Sequence, residues 1–431
     1  MSKKNAIENT KVPHNPGDRD GSFGNHGVIR SVTATFAADP TAATDQRFYM
    51  ANVIVPFGTD LTEIFRYNTD GTMDSEFGRV EIPALQQTYT AALDVEGLVF
   101  NQPAGEEGTI TCVGVTIAII DGGLYCYPAA ARITTSGKID ETFGEKGVML
   151  FKFRKPADGA IYLPTRYPSS FNIFRATVRH PTGDILFCCG LVDFNIRETT
   201  YVLVRMKSDG RPDESFGEEG VKVITSAYEA NPPHWFDCSV DSGGRVMLVG
   251  ATPEWNAGIV TRYNFAGDVD LTKTISLNEP GLDCHIVQSH VSDTGSITLL
   301  VYAGEPGQPH SRIAVLKLNE SGETDETFNK GKHVFVDEIE AQVPCLDVDR
   351  EGRIIVTGAS TQSKGVGRVV RLLPNGERDT AFGDGGSKEY PDLTPINRGV
   401  IQNGVDILAL THVRDVFGDL EMVRLFGEGA A

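Results

Sequence analysis

The side chains in this sequence with the most scope for chemistry are scattered aromatics, histidines and arginines. Arg166 and Tyr167 lie in an irregular stretch, FRKPADGAIYLPTRYPSSFN, over 153–172. His234 and Trp235 follow, with Tyr228 just before them, then Asp283 and His285, then Arg398. Gathered on one surface, Arg166, Tyr167, His234, Trp235, His285 and Arg398 have the means to stack on a sugar ring or to grip an acidic or aromatic group. A second set is acidic. Asp18-x-Asp20 and the pair Asp70 and Asp74 offer oxygens of the kind calcium takes. Calcium wants roughly six to eight of them, and the spacing lacks a full EF-hand or nonapeptide pattern.

Local catalytic motifs are missing. The sequence has no G-x-S-x-G, no H-E-x-x-H, no Walker loop and no G-x-G-x-x-G placed between strand and helix. The nine His are dispersed, and the seven Cys show no C-x-x-C spacing. Most Cys sit in apolar alternating runs (Cys112, Cys188, Cys238, Cys345), so they read as small buried thiols and not as a disulfide framework or zinc site. No cofactor or metal is expected. An active site assembled from distant parts of the chain would leave no local motif, so a hydrolase or lyase reading stays open beside a binding one.

The elements that must position these side chains come from a repeat. The phrase Asp-x-x-Phe-Gly-x-x-Gly occurs at Asp20–Gly27, Asp140–Gly147, Asp213–Gly220 and Asp379–Gly386. Two copies are eroded, at Asp74-Ser-Glu-Phe77-Gly78 and at Asp325-Glu-Thr-Phe328-Asn329. A seventh, at Asp270, keeps the Asp and the preceding Gly267 but has lost Phe-Gly. Six intervals separate Phe23 from Phe382, a period of about 60 residues. Each copy but the first follows an alternating, β-branched run that ends in a Gly turn, such as Tyr201 to Gly210 or Gly367 to Gly376. Two further strands precede it in each unit. Four antiparallel strands per unit are the plan of a propeller blade.

The ends of the chain carry the two halves of one unit. The first phrase has no strand before it, and Leu420 to Gly429 is a strand and turn with no phrase after it. Joined head to tail they give seven units, so the expectation is an all-β, seven-bladed propeller with four antiparallel strands per blade. Its ring is closed by an N-terminal outermost strand that joins the C-terminal blade, which leaves no open sheet between the ends. A polar tail is expected over 1–16 and one propeller domain over 17–431.

The phrase and its period resemble the delta-60 repeat, a family of bacterial β-propeller repeats mostly without an assigned biochemical function. The resemblance covers about residues 17 to 431, and the lack of a Trp-Asp dipeptide sets the chain apart from the WD40 class. Within the phrase each residue has structural work available. The Asp can form an Asx-turn or cap, the Phe can plug the gap between blades, and the Gly can take positive φ. The candidate residues fall on the connections from the outermost strand of one blade to the innermost strand of the next. Those connections ring one face around the central channel, and insertions on a rigid scaffold are where function tends to sit. A plainer reading packs Trp235 between blades and leaves His285 and Arg398 locally hydrogen-bonded.

Charge narrows the partners. Lys and Arg number 39 against 58 Asp and Glu, a net charge of −19. That disfavours nucleic acid and anionic membranes. The N-terminus MSKKNAIENT has no apolar signal core, and the longest apolar stretch, Ile110 to Ile120, is too short to span a bilayer. The expected location is the cytoplasm. The expected function is a non-catalytic binding or interaction module that holds a glycan, small molecule or protein on the loop-bearing face. An enzyme at the channel mouth and a structural module of a larger assembly are the alternatives.

Overall fold

A computed structural model describes residues 14–31, 36–37, 41–42, 46–54, 61–82, 93–101, 107–120, 123–151, 162–164, 177–179, 184–193, 198–225, 231–241, 243–277, 279–307, 311–341, 344–412 and 420–429. Their strands form seven antiparallel sheets, one per blade, with blades 1 to 6 spanning 36–82, 94–150, 162–225, 234–275, 283–335 and 345–390 and blade 7 formed by 396–425 with 29–31; five have four strands, and in blades 1 and 3 two short strands share the innermost position. Blade 4 is representative. Its strands run His234–Val240, Val246–Ala251, Gly258–Tyr263 and Val269–Ile275 from the channel outward. The second strand is buried along its whole length, whereas the outermost alternates between exposed and half-buried positions. That gradient follows the sequence: the runs richest in β-branched residues sit in the middle of each blade, where both faces are covered. Helix is almost absent among the described residues, with one 3₁₀ turn at Asn329–Gly331, and no helix there is long and apolar enough to cross a membrane.

The apolar core is a ring of layers between blades. One cluster packs Ile110, Cys112 and Ile133 of blade 2 against Tyr49, Ile64 and Val80 of blade 1. Another packs Val249 and Val260 of blade 4 against Ile286, Leu299 and Val301 of blade 5. Six cysteines, Cys112, Cys188, Cys189, Cys238, Cys284 and Cys345, are buried, which for Cys112, Cys188, Cys238 and Cys345 is what their alternating runs imply.

The repeated phrase forms a clamp from one blade to the next. In blade 3 the Ser215 N–H and hydroxyl both donate to Asp213 Oδ1, at 3.1 and 2.7 Å, which is the Asx-turn. Arg205 pairs with Asp213 Oδ2 at 2.7 Å, and its guanidinium lies 4.6 Å from the Phe216 ring centre. The same guanidinium donates to the Phe265 carbonyl in blade 4. The pattern recurs. Arg66, Arg132, Arg262 and Arg371 stand eight residues before Asp74, Asp140, Asp270 and Asp379, pair with them, and reach a carbonyl one blade on. The Phe is the plug: Phe23, Phe143, Phe216, Phe328 and Phe382 are all 1% exposed or less. Phe143 lies so close to Gly210 in the next blade that a Cβ there would sit 2.6 Å from its ring, and Gly210 also has φ +88°. Only Gly meets both demands.

Where the phrase has eroded, the local structure changes. Around Asp270 no loop is formed; the outermost strand continues through the site from Val269 to Ile275, with its register shifted at Asp270, which has no partner between Val269 and Leu271. Leu271 and Lys273 take the place of the missing Phe beside Gly322 of blade 5.

Ring closure uses the split unit. Ile29, Arg30 and Ser31 pair with Met422, Glu421 and Leu420 as the outermost strand of blade 7. Upstream, the Gly17 N–H donates to the Phe426 carbonyl and the Phe426 N–H to the Asp18 carbonyl. These bonds rebuild, from two chain ends, the turn that is continuous in other blades. Arg424 then pairs with Asp20, lies 4.8 Å from the Phe23 ring centre and donates to the Thr69 carbonyl of blade 1, as the clamp requires.

Candidate functional site

The register of blade 4 defines one end of the blade. His234 pairs with Ala251, Ala251 with Gly258, and Gly258 with Ile275. The start of the innermost strand, the turn between the second and third strands and the end of the outermost strand therefore share one face. His285 sits three residues into the innermost-strand ladder of blade 5, at the same end, opposite Tyr302.

Trp255 lies at the centre of this region, in the turn Thr252–Asn256. The turn is closed locally: the Thr252 N–H donates to the Ala257 carbonyl, the Trp255 N–H to the Thr252 carbonyl, both at 2.9 Å. Trp255 adopts φ +59°. A bulky side chain in the left-handed region is uncommon and costs about 1–3 kcal/mol. It is also 41% exposed, one of four large apolar side chains exposed among the described residues. Its surroundings hold it in place. The His234 ring lies 4.2 Å away, tilted by 34°; Phe236 is at 5.7 Å; the His285 ring meets its edge at 4.8 Å and 70°. His285 Nε2 is 2.9 Å from the Trp255 carbonyl, so its tautomer carries the proton on that nitrogen and donates across the blade boundary.

Strand alternation explains the grouping. His234 and Phe236 share the side that faces blade 5, with Trp235 on the other. Trp235 is 3% exposed and belongs to the apolar cluster shared with Phe187 and Val202 of blade 3. The Tyr201 hydroxyl donates to its carbonyl at 3.0 Å. Of the residues that sequence alone proposed, then, His234 and His285 meet around a common partner, and Trp235 packs between blades. Arg398 is placed by its backbone alone, paired with Leu410 near the same end of blade 7. Arg166, Tyr167 and Tyr228 lie outside the described residues. Trp255 was missed by the sequence reading. Its signal was there: an aromatic in Pro-Glu-Trp-Asn-Ala-Gly, between two alternating runs, has no strand to carry it into a core.

The acidic pairs have other occupations. Asp18 Oδ1 takes Lys388 at 2.6 Å and Oδ2 the Asn15 N–H at 2.8 Å. Asp74 takes the Glu76 N–H on one oxygen and Arg66 and Arg47 on the other. Asp70 takes the Thr72 N–H and hydroxyl. Among the described residues no three of His, Cys, Asp and Glu converge to hold a metal ion.

Comparison with known proteins agrees with the repeat. A family model described as a domain of unknown function (DUF5122) beta-propeller matches residues 352–382, which is one copy from the second strand of blade 6 to Phe382 of its phrase. No curated protein matches the chain. Among solved structures, a protein of unknown function from Dyadobacter fermentans is 12% identical, with 93% of this chain and 99% of that one covered, at a TM-score of 0.39. Prolyl oligopeptidase B from Galerina marginata is 10% identical, covers 92% of this chain and 52% of that one, and scores 0.43. The WD40 domain of SCAP from fission yeast is 7% identical, covers 97% and 93%, and scores 0.38. TM-scores below 0.5 add nothing to the blade count or to the chemistry. By its own sheets the chain is a seven-bladed β-propeller, and one of its repeats is similar to a β-propeller family model of unknown function.

Proposed function

We propose that this propeller is a non-catalytic interaction module whose ligand is held on the face that carries Trp255. The observation behind this is the exposed indole in a left-handed backbone conformation, fixed by a histidine from each of two blades. A fold under selection for stability alone would place Gly or Asn there, because neither strains at positive φ. Strain kept at an exposed aromatic favours a contact role. His234, at the start of the innermost strand, and His285 belong to this face, and Arg398 lies at the same end of blade 7. Arg166 and Tyr167 are proposed to extend it.

The two tryptophans make a direct test. Trp255 is exposed and Trp235 buried, so a ligand on this face changes the solvent-accessible part of the emission. Screening a metabolite and glycan library by tryptophan emission, with Trp255→Ala in parallel, should return ligands whose binding the substitution abolishes. A ligand that binds the variant as well as the parent would place the site elsewhere, and turnover of a bound compound would favour the enzyme alternative.

A further inference from the structure

The rim of the Trp255 shelf narrows the ligand class. Glu254, Trp255 and Asn256 are three consecutive exposed residues. Asn231 Nδ2 lies 3.3 Å from Glu254 Oε1, so a carboxylate and an amide stand side by side next to the indole. Asn256 Oδ1 takes the Thr252 hydroxyl at 2.9 Å, which leaves its amide nitrogen as a donor. The segments that build the shelf, 231–236, 252–257 and 283–286, contain no Lys or Arg.

Given that the ligand lies on this face, we propose that it is a neutral pyranose sugar, stacked on Trp255 with its hydroxyls bonded by Glu254, Asn231 and Asn256. Three features of the site match that chemistry. With the His234 ring tilted against it and His285 at its edge, only part of the indole, 41% of the residue, is left open as a limited apolar surface. The C–H face of a pyranose is likewise a limited apolar patch, and the electron-rich indole attracts its C–H groups. Planar carboxylate and amide groups accept and donate in one plane, as adjacent ring hydroxyls require. With no Lys or Arg in the three segments at the indole itself, and Arg166 and Arg398 assigned only to the wider face, the shelf lacks the cations that phosphates, nucleotides and acidic sugars call for. Exposed carboxylates on a chain of charge −19 repel them further.

The test uses the full chain and ligand-observed saturation-transfer NMR with methyl α-glucoside, methyl α-mannoside, methyl β-galactoside and N-acetylglucosamine. Glucuronate and choline serve as the acidic and cationic probes. At least one neutral pyranoside should give transfer concentrated on the hydrogens of one ring face. Trp255→Ala should weaken it by at least about tenfold, equivalent to about 1.4 kcal/mol. Glu254→Gln together with Asn231→Ala should weaken it several-fold, and Trp255→Phe should retain part of it. Unchanged thermal melting of each variant keeps folding apart from binding. If choline binds through Trp255 and no pyranoside does, the sugar proposal falls while the assignment of the face stands. If a pyranoside binds Trp255→Ala as well as the parent, both fall. If no pyranoside binds, the sugar proposal is overturned.

Discussion

Two tryptophans twenty residues apart show how little residue type says about role. Trp235 sits among the side chains of blades 3 and 4 and is 3% exposed, whereas Trp255 is 41% exposed in a strained turn. Removing the first leaves a cavity in a close-packed layer, which costs about 3–5 kcal/mol for an aromatic. Removing the second strips ring contacts with His234, Phe236 and His285 at an open surface and leaves no closed cavity. Trp255→Gly also relieves the positive φ, a strain of about 1–3 kcal/mol, offset in part by the roughly 0.4–1 kcal/mol that the added freedom of Gly gives the unfolded chain. Thermal or urea melts should therefore show a large loss for Trp235→Ala and an unchanged or raised midpoint for Trp255→Gly. A substantial loss in the second variant would mean that the indole is part of the core after all, and the contact role would lose its support.

At the scale of the element, the blade-to-blade clamp ties local turn chemistry to the whole ring. Five carboxylates of the repeated phrase are shifted toward the ionised form. For Asp213 burial pushes the carboxyl up, but the hydrogen bonds from Lys207 and Ser215 and the charge of Arg205 outweigh that and hold it at about 2, against an ordinary value of 3.8. Asp20, Asp74, Asp140 and Asp325 are shifted in the same direction; burial again opposes the shift, and hydrogen bonds from the turn and the nearby cations win. The sign of the linkage follows. A carboxyl with a folded value below its unfolded one adds stability that is complete above the unfolded value and lost as pH falls through the folded one. Several clamps titrating together should make the melting temperature fall steeply between about pH 4 and pH 2. Asp213→Asn should flatten part of that slope. A melting temperature independent of pH across this range would show that the clamps contribute nothing as ions.

On the scale of the whole molecule, residues 14–31 tie blades 6, 7 and 1 together. Gly17 accepts the Tyr390 hydroxyl at 2.7 Å and Pro16 the Gly383 N–H at 3.1 Å, both from blade 6. Ile29–Ser31 complete blade 7. The Gly24 N–H donates to the Asp70 carbonyl in blade 1, and Phe23 packs against Phe48 of that blade, 6.1 Å between ring centres. Deleting residues 1–32 removes all of this at once. Lost ladder bonds cost about 0.5–1.5 kcal/mol each, and with the uncovered apolar surface the total approaches the roughly 5–15 kcal/mol of a typical domain. The truncated chain should aggregate or melt far below the parent. A circular permutant that joins the native ends by a short linker and opens between two other blades should fold. If the deletion melts like the full chain, the N-terminal strand is not what holds the ring shut.

The number of blades, the four strands of most of them and the closing strand were legible in the sequence because each rests on a local signal: period-two alternation, turn glycines and a phrase split between the chain ends. The roles of Asp, Phe and Gly in the phrase followed from the same local chemistry. The clamp's third member was legible in principle, since a basic residue stands eight positions before each downstream Asp. Its purpose was not, because the carbonyl it reaches belongs to another blade, 56 to 76 residues away for Arg371, Arg205 and Arg132. The candidate site depended on tertiary structure most of all. Alternation places His234 and Trp235 on opposite sides of a strand without saying which side meets blade 5. Only the stacking of blades brings His285 to the carbonyl of Trp255, and only the backbone of one turn lifts that indole out of any core. Local patterning determines which strands form. Packing between strands remote in sequence decides which side chains are left for a ligand.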